Sequence, residues 1–336
     1  MMAELPLYVV GGRQRQNRGL GELGHGWYGY GLGVILRIDP DGGVSTEMEF
    51  TSRPGACAEG DPILFKCASR CGDRLYCCTQ TEVVVFSLPD FQQLAYVSLP
   101  QFNDVHHVLP TAHGTILAAV SGLEMVVEID EAGNVLGEWN VLDGDAWDGF
   151  DRGLDYRQGI NTKPHRAHPN HLFQLGGRPW VTRFECKDAV AVGNPADRIE
   201  VGHERVHDGV VRHDGVYFTT VDGFVVRCDP SVGRAVETQA LAPSRGTDEV
   251  LGWCRGLYFE DDAHCWVGFS RVRPTRLRET VAWIRNRGTS QAPTRVARYA
   301  TDGWTLLHEI DLEPYGMHAV FSIVPADRAT GRGPEL

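Results

Sequence analysis

VHDGVVRHDGVYFTTVDGFVVRCDPSVGRAVETQAL, residues 206–241, alternates apolar and polar side chains in four short runs. Asp214-Gly215, Asp222-Gly223 and the Gly233 region separate the runs, and Asp-Gly between alternating runs is a strong hairpin signal. Four runs joined by three tight turns make an antiparallel meander of four strands. The segment therefore predicts one repeating β unit, and the rest of the chain decides how many such units follow one another.

The same pattern recurs at 60–99, at 106–142 and, more loosely, at 170–202. A fifth unit begins at WCRGLYFEDDAHCWVGFSRVR (253–273), is interrupted, and ends with TRVARYATDGWTLLHEIDL (294–312). A sixth assembles only across the ends of the sequence. MHAVFSIVP (317–325) supplies its first strand, and LYVVGG, GVILRID and VSTEMEF, all within 7–50, supply the other three. Closing a ring in this way leaves no long exposed sheet edge. The expected fold is all-β, a six-bladed β-propeller in one domain over residues 1–336, with a pair of packed sheets as the alternative. Two insertions, 141–167 and 271–295, break the spacing; the second carries RVRPTRLRETVAWIRNRG and has the composition of a short helix after Pro274.

The 336 residues carry a formal charge of −12, which disfavours duplex nucleic acid and anionic membrane as main partners. No apolar run approaches the ~18 residues of a membrane span, and the opening residues lack a signal-peptide pattern, so the expected location is cytoplasmic. Nine cysteines are an odd number, and Cys67, Cys77, Cys78, Cys228 and Cys265 alternate with apolar residues, as buried reduced thiols do. Cys67 and Cys71 have half of a zinc spacing without a second pair. No phosphate-binding glycine loop, HExxH or GxSxG pattern is present. A small-molecule substrate is the expected partner.

In a propeller the first strand of each blade faces the central tunnel. Setting Ile63, Val108, Leu172, Val210, Leu257 and Val320 equivalent puts Asp61, His106, Asn170, Asp208, Arg255 and His318 two positions earlier, all polar. The same phase adds Asp104 and His168, while His107, His171 and His207 fall on the alternate phase or one residue away. A slip of one residue exchanges His106 for His107 and Asn170 for His171. Imidazoles converging on one axis suit zinc or a divalent transition metal. His106, His168, His207 and His318 are therefore the expected ligands, with His107 and His171 left for acid–base work. Arg255 is suited to hold a carboxylate or other oxyanion, with Asn170, Asp208 and Asp61 lining the substrate site. His25, His113, His203, His213, His264 and His308 read as turn or surface residues, and His165, ahead of the tunnel strand, reads either as a residue that reaches the mouth or as a loop residue.

At AHPNHLFQLGGRPWVT (167–182), VHDGVVRHDGVYFTTVDGFVVRCDP (206–230), GWCRGLYFEDDAHCWVGFSRVR (252–273) and, more weakly, DVHHV (104–108), the chain resembles a bacterial propeller family of conserved hypothetical proteins, a domain of unknown function. The resemblance implies the fold and an inward placement of His106, His168, Asn170, His207 and Arg255, with Gly256 and Leu257 following. His107, His171 and Asp208 depart from the common pattern. More distantly, the layout is similar to six-bladed metal-dependent lactonases, whose acidic and amide ligands are not reproduced here. Two functions follow. One is a metal-dependent lyase, isomerase or hydrolase acting on a small oxyanionic or carbonyl-containing metabolite. The other is a non-catalytic propeller that binds a small molecule or a protein through its insertions.

Overall fold

The computed structural model describes residues 5–15, 29–241, 249–271 and 290–327. Among these residues regular structure is strand, with two short 3-10 turns at Ser121–Leu123 and Glu313–Tyr315. No helix among them is long and apolar enough to cross a membrane. Strands Cys67–Cys71, Arg74–Cys78, Val83–Ser87 and Gln93–Val97 form one antiparallel meander, and Val105–Pro110, Ile116–Val120, Met125–Ile129 and Val135–Asn140 form the next. The meanders that start with Pro169–Leu175 and Val206–Arg212 merge into one eight-stranded sheet through a single parallel pair, Glu200 with Arg234. Trp253–Phe259, His264–Ser270, Arg295–Ala300 and Thr305–Asp311 make a further sheet.

Glu249–Val250 pairs in parallel with Ser290–Gln291, and in the last sheet Ala319–Pro325 pairs with Leu7–Gln14, which pairs with Tyr30–Ile38 and then Val44–Phe50. The expected closure across the two ends of the sequence is thus present. The first strands pack side by side in the cyclic order Cys67–Cys71, Val105–Pro110, Pro169–Leu175, Val206–Arg212, Trp253–Phe259, Ala319–Pro325 and back to Cys67–Cys71. This is a propeller-like ring whose axis is lined by first strands.

Burial falls from the axis outward, as a ring of twisted sheets requires. Second and third strands such as Ile116–Val120 and Val83–Ser87 are buried on both faces and read as continuous apolar runs. Fourth strands are largely exposed: Arg234–Ala240 has a polar outer surface, and Val236 stands open to solvent. Apolar layers fill the gaps between neighbouring sheets, for example Cys78, Val83 and Val85 against Val105, Val120 and Val127. Both Asp-Gly pairs lie at hairpins, the first shifted by one residue so that His213-Asp214 make the turn and Gly215 opens the next strand. At Gly215 φ is +149° and an added Cβ would lie 2.5 Å from the Cys228 carbonyl oxygen, so only glycine fits. All nine cysteines are free, and the five assigned to apolar runs are buried.

The insertion at 141–167 packs over one end of the ring. Ala58 N–H donates to the Arg157 carbonyl at 3.2 Å, Tyr156 N–H donates to the Pro100 carbonyl at 2.7 Å, and the Asn103 side chain donates to the carbonyls of Tyr156 and Ile160. Residues 272–289 of the arginine-rich insertion, with Trp27, Tyr28 and His25, lie outside the described residues.

Candidate functional site

Five of the six first strands carry one residue more than the second strand they pair with at the same level of the axis. The extra residue falls between Val105 and His107, between Pro169 and His171, between His207 and Val210, between Arg255 and Tyr258, and between Val320 and Ser322. A β-bulge interrupts the period of two, so consecutive side chains can turn to the same side. The result is a small cavity lined by Lys66, His106, His107, Asn170, His171, His207, Asp208, Arg255 and Phe321. It measures about 10 Å³, room for one water-sized group.

Hydrogen bonds fix the tautomers of three of these imidazoles. His106 Nδ1 faces the Asp104 carbonyl at 2.8 Å and so carries the proton; Nε2 is left as its basic nitrogen. Ser121 Oγ sits 2.9 Å from the same Nδ1 and donates its own proton to the Pro169 carbonyl. The His107 ring is turned the other way, because its Nδ1 accepts the Leu172 N–H at 3.3 Å, which puts the proton of the neutral ring on Nε2. Asn170 Nδ2 donates to both the Val206 carbonyl at 2.8 Å and His207 Nδ1 at 2.9 Å, so His207 also presents an Nε2–H. Asn170 Oδ1 is buried with no hydrogen-bond partner. His107 and His171 stack with ring centroids 3.9 Å apart.

Burial keeps these rings neutral. It pushes His107 well below the usual imidazole range, with the neighbouring His171 adding to it, and lowers His171 to about 3. His207 is driven down by burial and then by the Arg255 charge; His106 by burial and then by Lys66. The cavity's cations are Lys66 and Arg255. Arg255 lies over the Phe321 ring, 4.2 Å from its centroid. Burial lowers the Lys66 ammonium, and the Asp104 carboxylate it contacts works against that.

A second group lies beside the cavity. Asp104, His165 and His168 offer ligand atoms all within 4.8 Å of one another. Burial pushes the Asp104 carboxyl up, but Lys66, His106 and His168 outweigh it and hold it well below the usual carboxylate range. Burial lowers His168 to about 3 and also depresses His165. The rings of His106 and His168 meet edge to face at 4.5 Å.

The residues expected to share one centre are therefore divided. His106, His107, Asn170, His171, His207, Asp208 and Arg255 line the cavity together. His168 belongs to the neighbouring group. His318 lies in neither: its Nδ1 accepts the Gln14 N–H at 3.2 Å, because the first strand of its sheet begins at Ala319 and leaves His318 on the approach. Asp61 is also outside, in a turn where its carboxylate accepts the Ala58 N–H and burial raises its pKa. The register through Ile63 was displaced, since the corresponding strand starts at Cys67. Asp208 lines the cavity, yet its carboxylate takes the Thr219 hydroxyl and the Gly256 N–H (3.0 and 3.1 Å), and its carbonyl takes the Thr182 hydroxyl. It straps three neighbouring meanders together, and burial raises its pKa. Lys66 and Phe321 were missed. Lys66 had a signal in FKCASRC, a lysine directly ahead of a buried strand.

No family model and no curated protein matches the chain. Among solved structures, a protein of unknown function from Bacteroides caccae superposes with a TM-score of 0.60 at 13% identity, covering 96% of this chain and 98% of that one. Virginiamycin B lyase from Staphylococcus aureus gives 0.47 at 9% identity over 83% of this chain and 77% of that one. A streptogramin B lyase gives 0.48 at 11% identity over 91% and 88%. The first likeness is one of fold; the two lyase superpositions bear on neither fold nor function.

Proposed function

We propose that the ring is a six-bladed β-propeller forming one domain, and that it is an enzyme acting on a small metabolite with a carboxylate or other oxyanionic group next to a carbonyl. The observation that carries this reading is the set of bulges: they gather donors and the basic Nε2 of His106 around one small cavity. Bulges of this kind re-aim side chains beside active sites.

Arg255 binds the oxyanion with a planar, permanently charged fork, and Lys66 adds charge. The cavity takes one end of the substrate, and the remainder lies toward the mouth. His106 Nε2 is the base that removes a proton from the carbon next to the carbonyl. The negative charge that develops on the carbonyl oxygen is met by Arg255 and by the Nε2–H of His107, which His171 backs. Return of the proton at another carbon gives isomerisation; loss of a leaving group gives a lyase; water in place of the carbon acid gives hydrolysis.

The test is calorimetric titration of the full chain with acetate, oxalate, pyruvate and inorganic phosphate, in chelator. At least one should bind in the millimolar range or better, and Arg255→Lys should weaken it about tenfold or more, since lysine cannot reproduce a two-pronged contact. Deuterium should enter the bound carbonyl compound from D2O, and His106→Gln should abolish that exchange while retaining binding. Binding without exchange in the wild type would refute the enzyme and leave a binding protein. No binding at all would refute the anion site.

A further inference from the structure

We infer that Asp104, His165 and His168 form a binding site for one divalent metal ion, zinc or a first-row transition metal, beside the cavity. This goes beyond the acid–base reading, which stands without a metal, and it replaces the ligand set His106, His168, His207 and His318 expected from the sequence.

Three features of the geometry support it. First, the chemistry of the donors fits. Two imidazoles and a carboxylate are the set that binds zinc or open-sited iron(II), and three protein ligands leave positions free for water or substrate. The Nδ1 atoms of His165 and His168 face each other at 2.6 Å, an arrangement satisfied either by one shared proton or by a cation between two lone pairs. Metal–nitrogen bonds of about 2.0–2.1 Å at a tetrahedral angle separate two nitrogens by about 3.4 Å, so an ion would spread this pair by less than about 1 Å. His165 Nε2 lies 3.2 Å from Thr162 Oγ1, a partner that orients the ring for ligation through Nδ1.

Second, two of the three ligands carry strained backbone, as Phe91, Glu124, Lys187, Asp208 and Trp304 also do among the described residues. Asp104 and His168 both have φ of +55°, a left-handed conformation that side chains with a Cβ adopt at a cost of about 1–3 kcal/mol each. They occupy matching places, each two residues ahead of the extra residue in its strand. Left-handed backbone at two of three ligands is strain held in place by surrounding contacts, as binding sites commonly hold it.

Third, a buried carboxylate holds the loop. Glu124, on the turn after Ser121–Leu123, accepts the N–H groups of Arg166, Ala167 (3.0 and 3.2 Å) and His168 (2.9 Å). Three successive amides are pinned between His165 and His168, which fixes the spacing of the two imidazoles. Glu124 is thus a positioning residue. Lys66 competes: its ammonium contacts the Asp104 carboxylate that a metal would share. Metal binding therefore shifts that carboxylate's charge from Lys66 to the ion and leaves the ammonium available to an anion in the cavity.

The experiment uses the full chain stripped by chelation and titrated with Zn2+ by calorimetry and with Co2+ by visible absorption. One equivalent should bind, with a cobalt spectrum of low coordination number. His165→Gln and His168→Gln should each weaken Zn2+ by about 100-fold or more, and Glu124→Gln by about 10–100-fold, as loss of an orienting partner does. His207→Ala should leave the stoichiometry at one. Urea midpoints of all variants check folding; should His168→Gln fail to fold, His165→Gln, whose ring contacts Thr162 and His168, decides. No stoichiometric metal in the wild type, or metal retained by His165→Gln and lost from His207→Ala, overturns the site. Oxyanion binding in chelator is read separately, so failure of one proposal is distinguishable from failure of the other.

Discussion

Acid should destabilise this protein well before its carboxylates titrate. His107, His171 and His207 are held neutral in the folded chain, all with lowered pKa and His171 at about 3. Unfolded, each returns to about 6.5. A depressed folded pKa contributes stability that is complete above the unfolded value and is lost as pH falls toward the folded one. Each ring then costs about 0.8 kcal/mol at pH 6.0 and about 1.4 kcal/mol at pH 5.5, so three cost roughly 2.5 and 4 kcal/mol. Asp208 works in the opposite direction, because burial raises its carboxyl and the folded state binds that proton more readily; it offsets at most one proton. Against a total of about 5–15 kcal/mol the loss is large. The assay is urea unfolding followed by tryptophan fluorescence at pH 8.0, 7.0, 6.0 and 5.5 in chelator, with m constant. A stability that stays within about 1 kcal/mol from pH 7.0 to 5.5 would refute the reasoning, since it requires these rings to titrate alike in both states.

Two further substitutions probe the scaffold. Gly256→Ala places a Cβ 3.3 Å from the Phe321 carbonyl oxygen at φ of +80°. It should cost about 1–2 kcal/mol and lower Tm by a few degrees; an unchanged Tm would show that the bulge tolerates a side chain. Glu82 is fully buried and accepts from Ser52 Oγ, the Arg53 N–H, Thr79 Oγ1 and Tyr96 O–H. Glu82→Gln can keep a carbonyl oxygen on the Arg53 N–H and the Tyr96 hydroxyl, but its amide N–H2 then faces the Ser52 and Thr79 hydroxyls, which must turn to accept; the loss of two charge-assisted bonds should cost about 1–2 kcal/mol in urea. A loss below about 0.5 kcal/mol would mean that those donors find other partners.

The meanders and their closure were legible because Asp-Gly turns and period-two runs are local signals, as at 206–241. The convergence of His106, Asn170, Asp208 and Arg255 followed from aligning those runs. What alignment could not supply was the bulges. One extra residue in a strand breaks the alternation at that point, so the choice between His106 and His107, or between Asn170 and His171, had no single answer: both members of each pair line the cavity. His318 and Asp61 were misplaced for the opposite reason, since their strands begin later than the apolar runs suggest. The grouping of Asp104, His165 and His168 depends on left-handed backbone at Asp104 and His168 and on Glu124, far off in the chain. No short-range pattern encodes either.

The pairing of Leu7–Gln14 with Ala319–Pro325 also has a consequence for how the protein is made. At about 5–20 residues per second, the ribosome finishes the second of these strands roughly 15–60 s after the first. Throughout that interval the nascent chain carries Leu7–Gln14 with one side unmatched, a buried and apolar strand in the final fold. Every translation product that ends before Ala319 shares this open edge, so such incomplete chains are prone to aggregate. Expression yield should accordingly respond to chaperone supply and to slower synthesis at low temperature more than to any single surface substitution.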